Sequence, residues 1–133
     1  MGTFKDVEDA REHFHRDHFA TENGVEIQDF GEGWARCTMR ITEHHLNALG
    51  GVMGGTIFTL ADMTAGMVAN NYTSPSVTQQ VSLNFLNPAL GDLLTARARC
   101  RRNGRTSCVV NMDVTDDQGQ DLAQCVFTFY KLP

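Results

Sequence analysis

Residues 50–71 read GGVMGGTIFTLADMTAGMVANN, a glycine-rich turn that runs into a segment with one charged residue. The pattern predicts a helix from Gly55 to Asn71, which the Thr-Ser-Pro sequence at 73–75 ends. On a helical wheel of about 100° per residue, an apolar side lies opposite a side of largely small residues, and neither is hydrophilic. We therefore expect a helix that is buried nearly all round, as if a sheet wrapped it. The apolar side carries Ile57, Leu60, Ala61, Thr64 and Val68, and the opposite side carries Gly55, Phe58, Asp62, Gly66 and Ala69.

The carboxylate of Asp62 is the outstanding feature of this helix. It is the only charged residue between Leu46 and Gly91, although charged residues make up 20% of the chain. A buried carboxylate without a partner is costly, and no Lys or Arg lies nearby in sequence to pair with it. A bond to backbone amides or to a distant strand would satisfy it structurally. The charge-free surroundings and the small-residue side favour a functional carboxylate instead.

The glycine-rich turn at the start of the helix is a second candidate element. Its backbone N–H groups lie at the positive end of the helix dipole and have no intrahelical acceptors. Such groups can bind a phosphate or stabilise an oxyanion. A phosphate-binding loop of the GxxxxGK[ST] type is excluded because Thr56, not Lys, follows Gly55. An oxyanion site one to two turns from Asp62 fits acyl-group chemistry better.

The rest of the chain predicts an α+β fold in a single domain, residues 1–133, with residues 1–22 as an N-terminal helical extension. Apolar residues at helical spacing predict one amphipathic helix from Asp6 to Ala20. Alternation of apolar and polar residues predicts five or six antiparallel strands, and three hairpin-like connections link the last four as a meander. These strands are Val25–Phe30, Trp34–Ile41, Val77–Leu86, Leu93–Arg101, Ser107–Thr115 and Leu122–Leu132.

Charge and cysteine content restrict the environment and the partners. The formal net charge of −5 argues against a protein that binds nucleic acid or anionic membranes non-specifically. No apolar run reaches the 18 residues of a membrane span, and the charged N-terminus lacks the apolar core of a signal peptide. The four cysteines are well separated, which favours free, buried thiols over a disulfide. We expect a cytoplasmic protein.

The segment from Leu46 to Asp62 resembles the hotdog-fold thioesterases, specifically the PaaI-like acyl-CoA thioesterases of the phenylacetate-pathway type. The shared pattern is Asn47, a Gly-Gly pair at 54–55 and a Leu-Ala-Asp sequence that ends at Asp62. The resemblance extends from about Gly24 to the C-terminus. Further matching segments are Val77-Thr78, Asn84-Phe85-Leu86-Asn87-Pro88, Gly91-Asp92, Gly104-Arg105, and the turn at 117–119 with Leu122-Ala123.

The resemblance implies a hotdog fold, in which the antiparallel sheet wraps one long central helix, and it implies a role for each matching residue. Asp62 would act as general base or nucleophile, and the Gly54 N–H would polarise the thioester oxygen. Asn47 would orient the carbonyl or the attacking water, and Thr78 would help to position that water. The implied substrate-binding residues are Gly55, Met53, Phe58 and Arg105, the last as a partner for the CoA phosphates or simply a solvated hairpin charge.

Met53 stands where the resembled family usually has a histidine. This departure keeps open a non-catalytic, acyl-CoA-binding hotdog protein as the alternative to an acyl-CoA thioesterase. A hydratase or dehydratase of the same fold is a further alternative, but those usually place a histidine on the helix, and residues 56–71 contain none. The resemblance implies no metal and no cofactor besides the CoA of the substrate. It also implies a homodimer at minimum, and we expect a homotetramer, with sites shared between protomers.

Overall fold

A six-stranded antiparallel sheet wraps one long helix in the computed structural model, which describes residues 2–133. The strands lie in the order β1-β2-β4-β5-β6-β3. They are β1 (Val25–Gly31), β2 (Trp34–Arg40), β3 (Ser76–Phe85), β4 (Leu93–Asn103), β5 (Ser107–Asp116) and β6 (Asp121–Lys131). The helices are α1 (Val7–Phe14), α2 (His18–Glu22) and α3 (Gly54–Tyr72), with a 3₁₀ turn at Glu43–His45. This is the hotdog architecture expected from the sequence.

Helix α3 is the centre of the core, as its uncharged sequence predicted. From Leu60 to Ala69 every residue is buried except Asp62, which is half-buried. All six strands lie against α3, and in β4, β5 and β6 largely alternate residues are buried toward it. The first turn of α3 is different, since Gly55 and Phe58 are exposed there.

Strand β3 does not pair with β4, so the predicted meander of four strands is wrong in its first connection. β3 lies at the edge of the sheet against β6, whereas β4 pairs with β2 and β5. The connection between β3 and β4 therefore crosses the sheet instead of forming a hairpin. The carboxylate of Asp116 holds this crossover to the β5–β6 turn, because it accepts hydrogen bonds from the N–H groups of Leu90 and Gly91 at 2.7 and 2.8 Å.

The N-terminal segment forms two helices where the sequence predicted one. α1 ends at Phe14 and α2 begins at His18, with a break at residues 15–17. The segment is fixed to the end of α3 by Asn71, whose side-chain oxygen accepts from the N–H of Phe4 at 3.1 Å. The break lets the chain turn over α3, which a straight helix from 6 to 20 would leave uncovered.

The cysteines are free thiols, as predicted, and three of the four are buried. The sulfur atoms of Cys100 and Cys108 lie 4.0 Å apart on neighbouring strands β4 and β5. Among residues 2–133, none of the helices has the length and apolarity needed to span a membrane.

Candidate active site

The N-terminus of α3 presents two backbone N–H groups without acceptors. Met53 occupies the N-cap position with extended backbone, and its side chain makes no capping hydrogen bond. The N–H groups of Gly54 and Gly55 have no hydrogen-bond partner among residues 2–133, whereas the next amide, that of Thr56, bonds to the Met53 carbonyl at 2.9 Å. An uncapped helix start of this kind can stabilise negative charge on an oxygen atom.

Phe85, Asn47 and Gly54 line a common cavity of about 610 Å³. A Cβ atom at Gly54 would come within 2.9 Å of the Phe85 ring. The close approach of this ring to the backbone is therefore a reason for glycine at this position. The side-chain oxygen of Asn47 accepts from the N–H groups of Leu49 and Gly51 at 2.9 and 3.1 Å, and so shapes the loop before α3. Its Nδ2 group is free, within the described chain, to donate a hydrogen bond to a ligand.

The carboxylate of Asp62 lies two turns further along α3 and contacts β3. It accepts a hydrogen bond of 2.8 Å from the hydroxyl of Thr78. A β-bulge at residue 79 follows Thr78 immediately, and bulges re-aim neighbouring side chains. Asn70 fixes the start of β3 to α3, since its side chain both accepts from and donates to the backbone of Ser76.

Burial and two neighbouring side chains determine the acidity of Asp62. Burial raises the pKa of the Asp62 carboxyl above its usual range, the hydrogen bond from Thr78 lowers it, and the negative charge of Asp17 raises it further. The net effect is a raised pKa, which makes the ionised carboxylate a stronger base than an exposed aspartate. Asp62 lines two small cavities, of about 240 and 230 Å³, and Asp17 lines both of them with it.

The small-residue side of α3 leaves the space that these cavities occupy. A Cβ atom at Gly66 would have only one neighbour within 4 Å, the Phe129 ring at 3.9 Å, so packing within the chain does not require a glycine there. Gly66 instead lines the 230 Å³ cavity together with Asp62. The glycine therefore keeps room beside the carboxylate.

A family model described as "Thioesterase superfamily" matches residues 49–123, which include Gly54, Asp62 and Thr78. The chain belongs to the thioesterase superfamily. It is 30% identical to the acyl-coenzyme A thioesterase PaaI of Escherichia coli K12 over 117 residues, which are 87% of this chain and 84% of that protein. The sequence-based resemblance to PaaI-like thioesterases is thus confirmed.

Solved structures of thioesterases share the fold of this superfamily member. The E. coli PaaI structure superposes with a TM-score of 0.88 at 26% identity, covering 95% of this chain and 92% of the other. A hypothetical thioesterase from Streptococcus pneumoniae TIGR4, crystallised with coenzyme A, superposes with a TM-score of 0.82 at 31% identity. That comparison covers 90% of this chain and 94% of the other.

The site residues predicted from the sequence fall into two separate groups in this thioesterase chain. Asn47 and Gly54 share one cavity, whereas Asp62, Thr78 and Phe58 lie around the others. Eight residues separate Gly54 from Asp62, a distance of roughly 12 Å along the axis at 1.5 Å per residue. One thioester carbonyl cannot contact both groups of a single chain.

The remaining predicted substrate-binding residues are exposed and line none of these cavities. Met53 is 55% exposed, Gly55 has open space where a side chain would be, and Arg105 lies in the turn between β4 and β5. The neighbouring His45 does not replace the family's usual histidine. Its ring nitrogens bond to the Thr42 amide at 2.9 Å and the Asn23 carbonyl at 2.6 Å, so it is a buried structural residue.

Phe14, Asp17 and Met63 are among the residues that line the two cavities beside Asp62 and that the sequence did not indicate as site residues. Phe14 and Asp17 belong to the N-terminal segment, for which the sequence predicts a single amphipathic helix. Asp17 carried a signal, since aspartate is a preferred N-cap residue and marks a second helix start. In the structure Asp17 occupies that N-cap position, but its side chain makes no capping hydrogen bond.

Proposed function

We propose that this protein is an acyl-CoA thioesterase that hydrolyses a CoA thioester to the free acid and CoA. One observation carries the proposal. A half-buried carboxylate of raised pKa, bonded to Thr78, lies on the same helix as an uncapped glycine N–H. Membership of the thioesterase superfamily and similarity to PaaI and to a CoA-bound structure support it.

The proposed reaction uses Asp62 as general base or as nucleophile. As a base, the carboxylate takes a proton from a water molecule while the water oxygen attacks the thioester carbon. The carbonyl oxygen becomes an oxyanion, which the Gly54 N–H and the Asn47 Nδ2 group stabilise. The C–S bond then breaks, and the thiolate of CoA receives the proton from Asp62. As a nucleophile, the carboxylate attacks the carbon itself, and the C–S bond breaks to release the CoA thiolate and leave a mixed anhydride. Water then hydrolyses this anhydride to the free acid, Asp62 is regenerated as the carboxylate, and the thiolate takes up the remaining proton. Neither route uses a metal or an organic cofactor.

Two copies of the chain would complete this site. If the Asp62 of one protomer meets the Gly54 of another, the two α3 helices run antiparallel and cross near Phe58, the midpoint of the eight-residue separation. Phe58 is 37% exposed, and the outer edge of β3 is unpaired within residues 2–133. A twofold axis near Phe58 would bring the partner chain over apolar side chains that are exposed in a single chain. The minimum assembly is then a homodimer, and we expect two dimers to form a homotetramer, which sedimentation would measure.

A thiol-release assay with a panel of aromatic and aliphatic CoA esters tests the proposed function. The wild type should release CoA from at least one ester, and Asp62→Asn should lower kcat by about 100-fold to 10,000-fold, the usual contribution of a general base. Asp113→Asn, on the half-exposed part of β5 away from these cavities, is the matched control. If the wild type releases CoA from none of the esters, the proposal of a thioesterase is rejected. The alternative of a protein that only binds acyl-CoA is then favoured.

A further inference from the structure

Two cavities meet beneath the N-terminal segment, and they share part of their lining. The first, which we call the Asp62 cavity, has a volume of about 230 Å³ and lies between α3, β3 and the α1–α2 junction. The second, which we call the α1 cavity, has a volume of about 400 Å³ and lies between α1, α2 and β1. Phe14 and Met63 line both, so these two side chains are the border that the cavities have in common.

We infer that Phe14 and Met63 form the end wall of the acyl-binding pocket and restrict this protein to short or compact acyl groups. The inference rests on the proposed function, because it takes Asp62 as the group beside the thioester carbon. The Asp62 cavity alone is smaller than the roughly 300 Å³ at the lower end of ordinary ligand pockets. The other cavity that Asp62 lines, of about 240 Å³, is also below this size. A small acyl group fills the Asp62 cavity, and a longer chain that extends toward α1 would have to pass the wall into the α1 cavity.

Phe14 is the rigid part of this wall. Its ring is 9% exposed and packs against Phe4, with 5.6 Å between the ring centroids, and Phe4 in turn packs against Phe30 at 6.2 Å. Because this cluster fixes the ring, the wall cannot yield on the Phe14 side without moving α1. Met63 is 4% exposed and is the adaptable part, since methionine side chains have several rotatable bonds.

The α1 cavity beyond the wall has a mixed lining, in which apolar side chains stand beside the polar His15, Thr21 and Glu26. Val25 and Ile27 of β1 contribute buried apolar side chains to it, 4% and 2% exposed. Arg11 also lines it, but the guanidinium is held by the Ile27 carbonyl through bonds of 3.1 and 2.8 Å. Removal of the wall should therefore extend the acyl pocket into a space that is already partly apolar.

Binding of S-alkyl-CoA thioethers, from ethyl to dodecyl, tests the wall without requiring hydrolysis. Each methylene that becomes buried should tighten binding by about 4-fold. For the wild type, Kd should fall with chain length and then stop falling once the Asp62 cavity is full. For Met63→Ala and Phe14→Leu, Kd should continue to fall over the longer chains. Phe30→Leu is the matched control, because Phe30 belongs to the same aromatic cluster but lines neither cavity.

Coincident chain-length profiles for the wild type and Met63→Ala would overturn the inference. A wild type whose Kd falls steadily to dodecyl, or one that binds no thioether, would also overturn it. Thermal unfolding identifies a variant that fails to fold; if Phe14→Leu fails, Met63→Ala decides alone. A wild type that binds the thioethers but releases no thiol from any ester would reject the proposed function and leave the wall to be judged on these profiles.

Discussion

At the scale of single residues, the proposed chemistry depends on how the surroundings of Asp62 set the acidity of its carboxyl group. Burial and the charge of Asp17 raise the pKa of the carboxyl, and the hydrogen bond from Thr78 opposes them. A base with a raised pKa accepts a proton more readily, but it is also deprotonated only at higher pH. In the proposed mechanism, Asp17 therefore increases the strength of Asp62 as a base and raises the pH at which Asp62 becomes ionised.

Replacement of Asp17 should move the pH profile of the enzyme. In Asp17→Asn the negative charge that raises the pKa of Asp62 is absent, so that pKa should fall. The acidic limb of the kcat/KM profile should then shift to lower pH, because Asp62 loses its proton at a lower pH in this variant. Glu22→Gln removes a charge of the same sign from α2 at a position that lines neither cavity with Asp62. A shift of equal size in both variants would contradict the specific role of Asp17.

Two substitutions at Gly54 separate the effect of removing the backbone N–H from the effect of adding a side chain. Gly54→Pro deletes the N–H at the first helical position, where proline is well tolerated. The backbone of Met53, at φ −66° and ψ 138°, already has the conformation that a following proline requires. Gly54→Ala adds the same crowding against Phe85 and keeps the N–H, so it is the control. We expect kcat of the proline variant to fall by about 100-fold to 1,000-fold relative to the alanine variant.

Equal kcat values for the proline and alanine variants would remove the Gly54 N–H from the mechanism. Circular dichroism and thermal unfolding of both variants would show whether the collision with the Phe85 ring has altered the fold. Since both carry a Cβ atom at the same place, a difference in stability between them should be small.

At the scale of secondary-structure elements, α3 combines a packing role with a site role. Its apolar side chains fill the centre of the sheet, and Gly66 leaves the space beside Asp62 empty. A glycine in the interior of a helix lowers stability by about 0.5–1 kcal/mol relative to alanine. No close contact within residues 2–133 requires it, so its role is to maintain the cavity.

Gly66→Ala should therefore raise stability and lower activity at the same time. The free energy of unfolding should increase by about 0.5–1 kcal/mol through helix propensity, as urea denaturation would measure. The added methyl group should enter the Asp62 cavity and lower kcat/KM, most strongly for the bulkiest acyl group that the wild type accepts. An unchanged kcat/KM across the ester panel would show that the cavity beside Gly66 holds no part of the substrate.

At the scale of the whole molecule, the two halves of the site lie too far apart in one chain to act on one carbonyl. The proposed solution is a pair of antiparallel α3 helices, each giving an Asp62 to one site and a Gly54 to the other. Twofold symmetry would then produce two identical sites in each dimer. The exposed face of α3 at Gly55 and Phe58 is the surface through which the helices would approach.

Mixed dimers test whether the site is shared. Asp62→Asn and Gly54→Pro chains, each inactive alone, should regain about a quarter of wild-type activity when refolded together in equal amounts, because half of the dimers would contain one intact site of two. A mixture of Asp62→Asn with Thr78→Val should regain nothing, since those residues belong to the same half-site. Absence of recovery in the first mixture, despite mixed dimers detected by two different affinity tags, would contradict a shared site.

Particular residues show which parts of the fold and site were predictable from the sequence. The bounds of α3 and of most strands were predicted to within two residues, because periodic burial is a local property of the chain. The pairing of β3 with β6 was not predicted, because a strand shows the same alternation of residues whichever strand it pairs with. Asp62 was found by its isolation among uncharged residues, whereas Asp17 was missed because its neighbours in sequence are charged and unremarkable.

The sequence by itself determined the long buried helix, its single carboxylate, its uncapped glycine start and the alternating strands that enclose it. These features depend on propensity and periodicity, which act over a few residues. Only the tertiary structure placed Thr78 against Asp62 and Phe14 beside the same cavity. Those contacts depend on strand order and on the break between α1 and α2. Both are set by packing between segments that are distant in the chain. Local periodicity does not specify them, because the apolar surface of α3 must be covered but more than one order of strands could cover it.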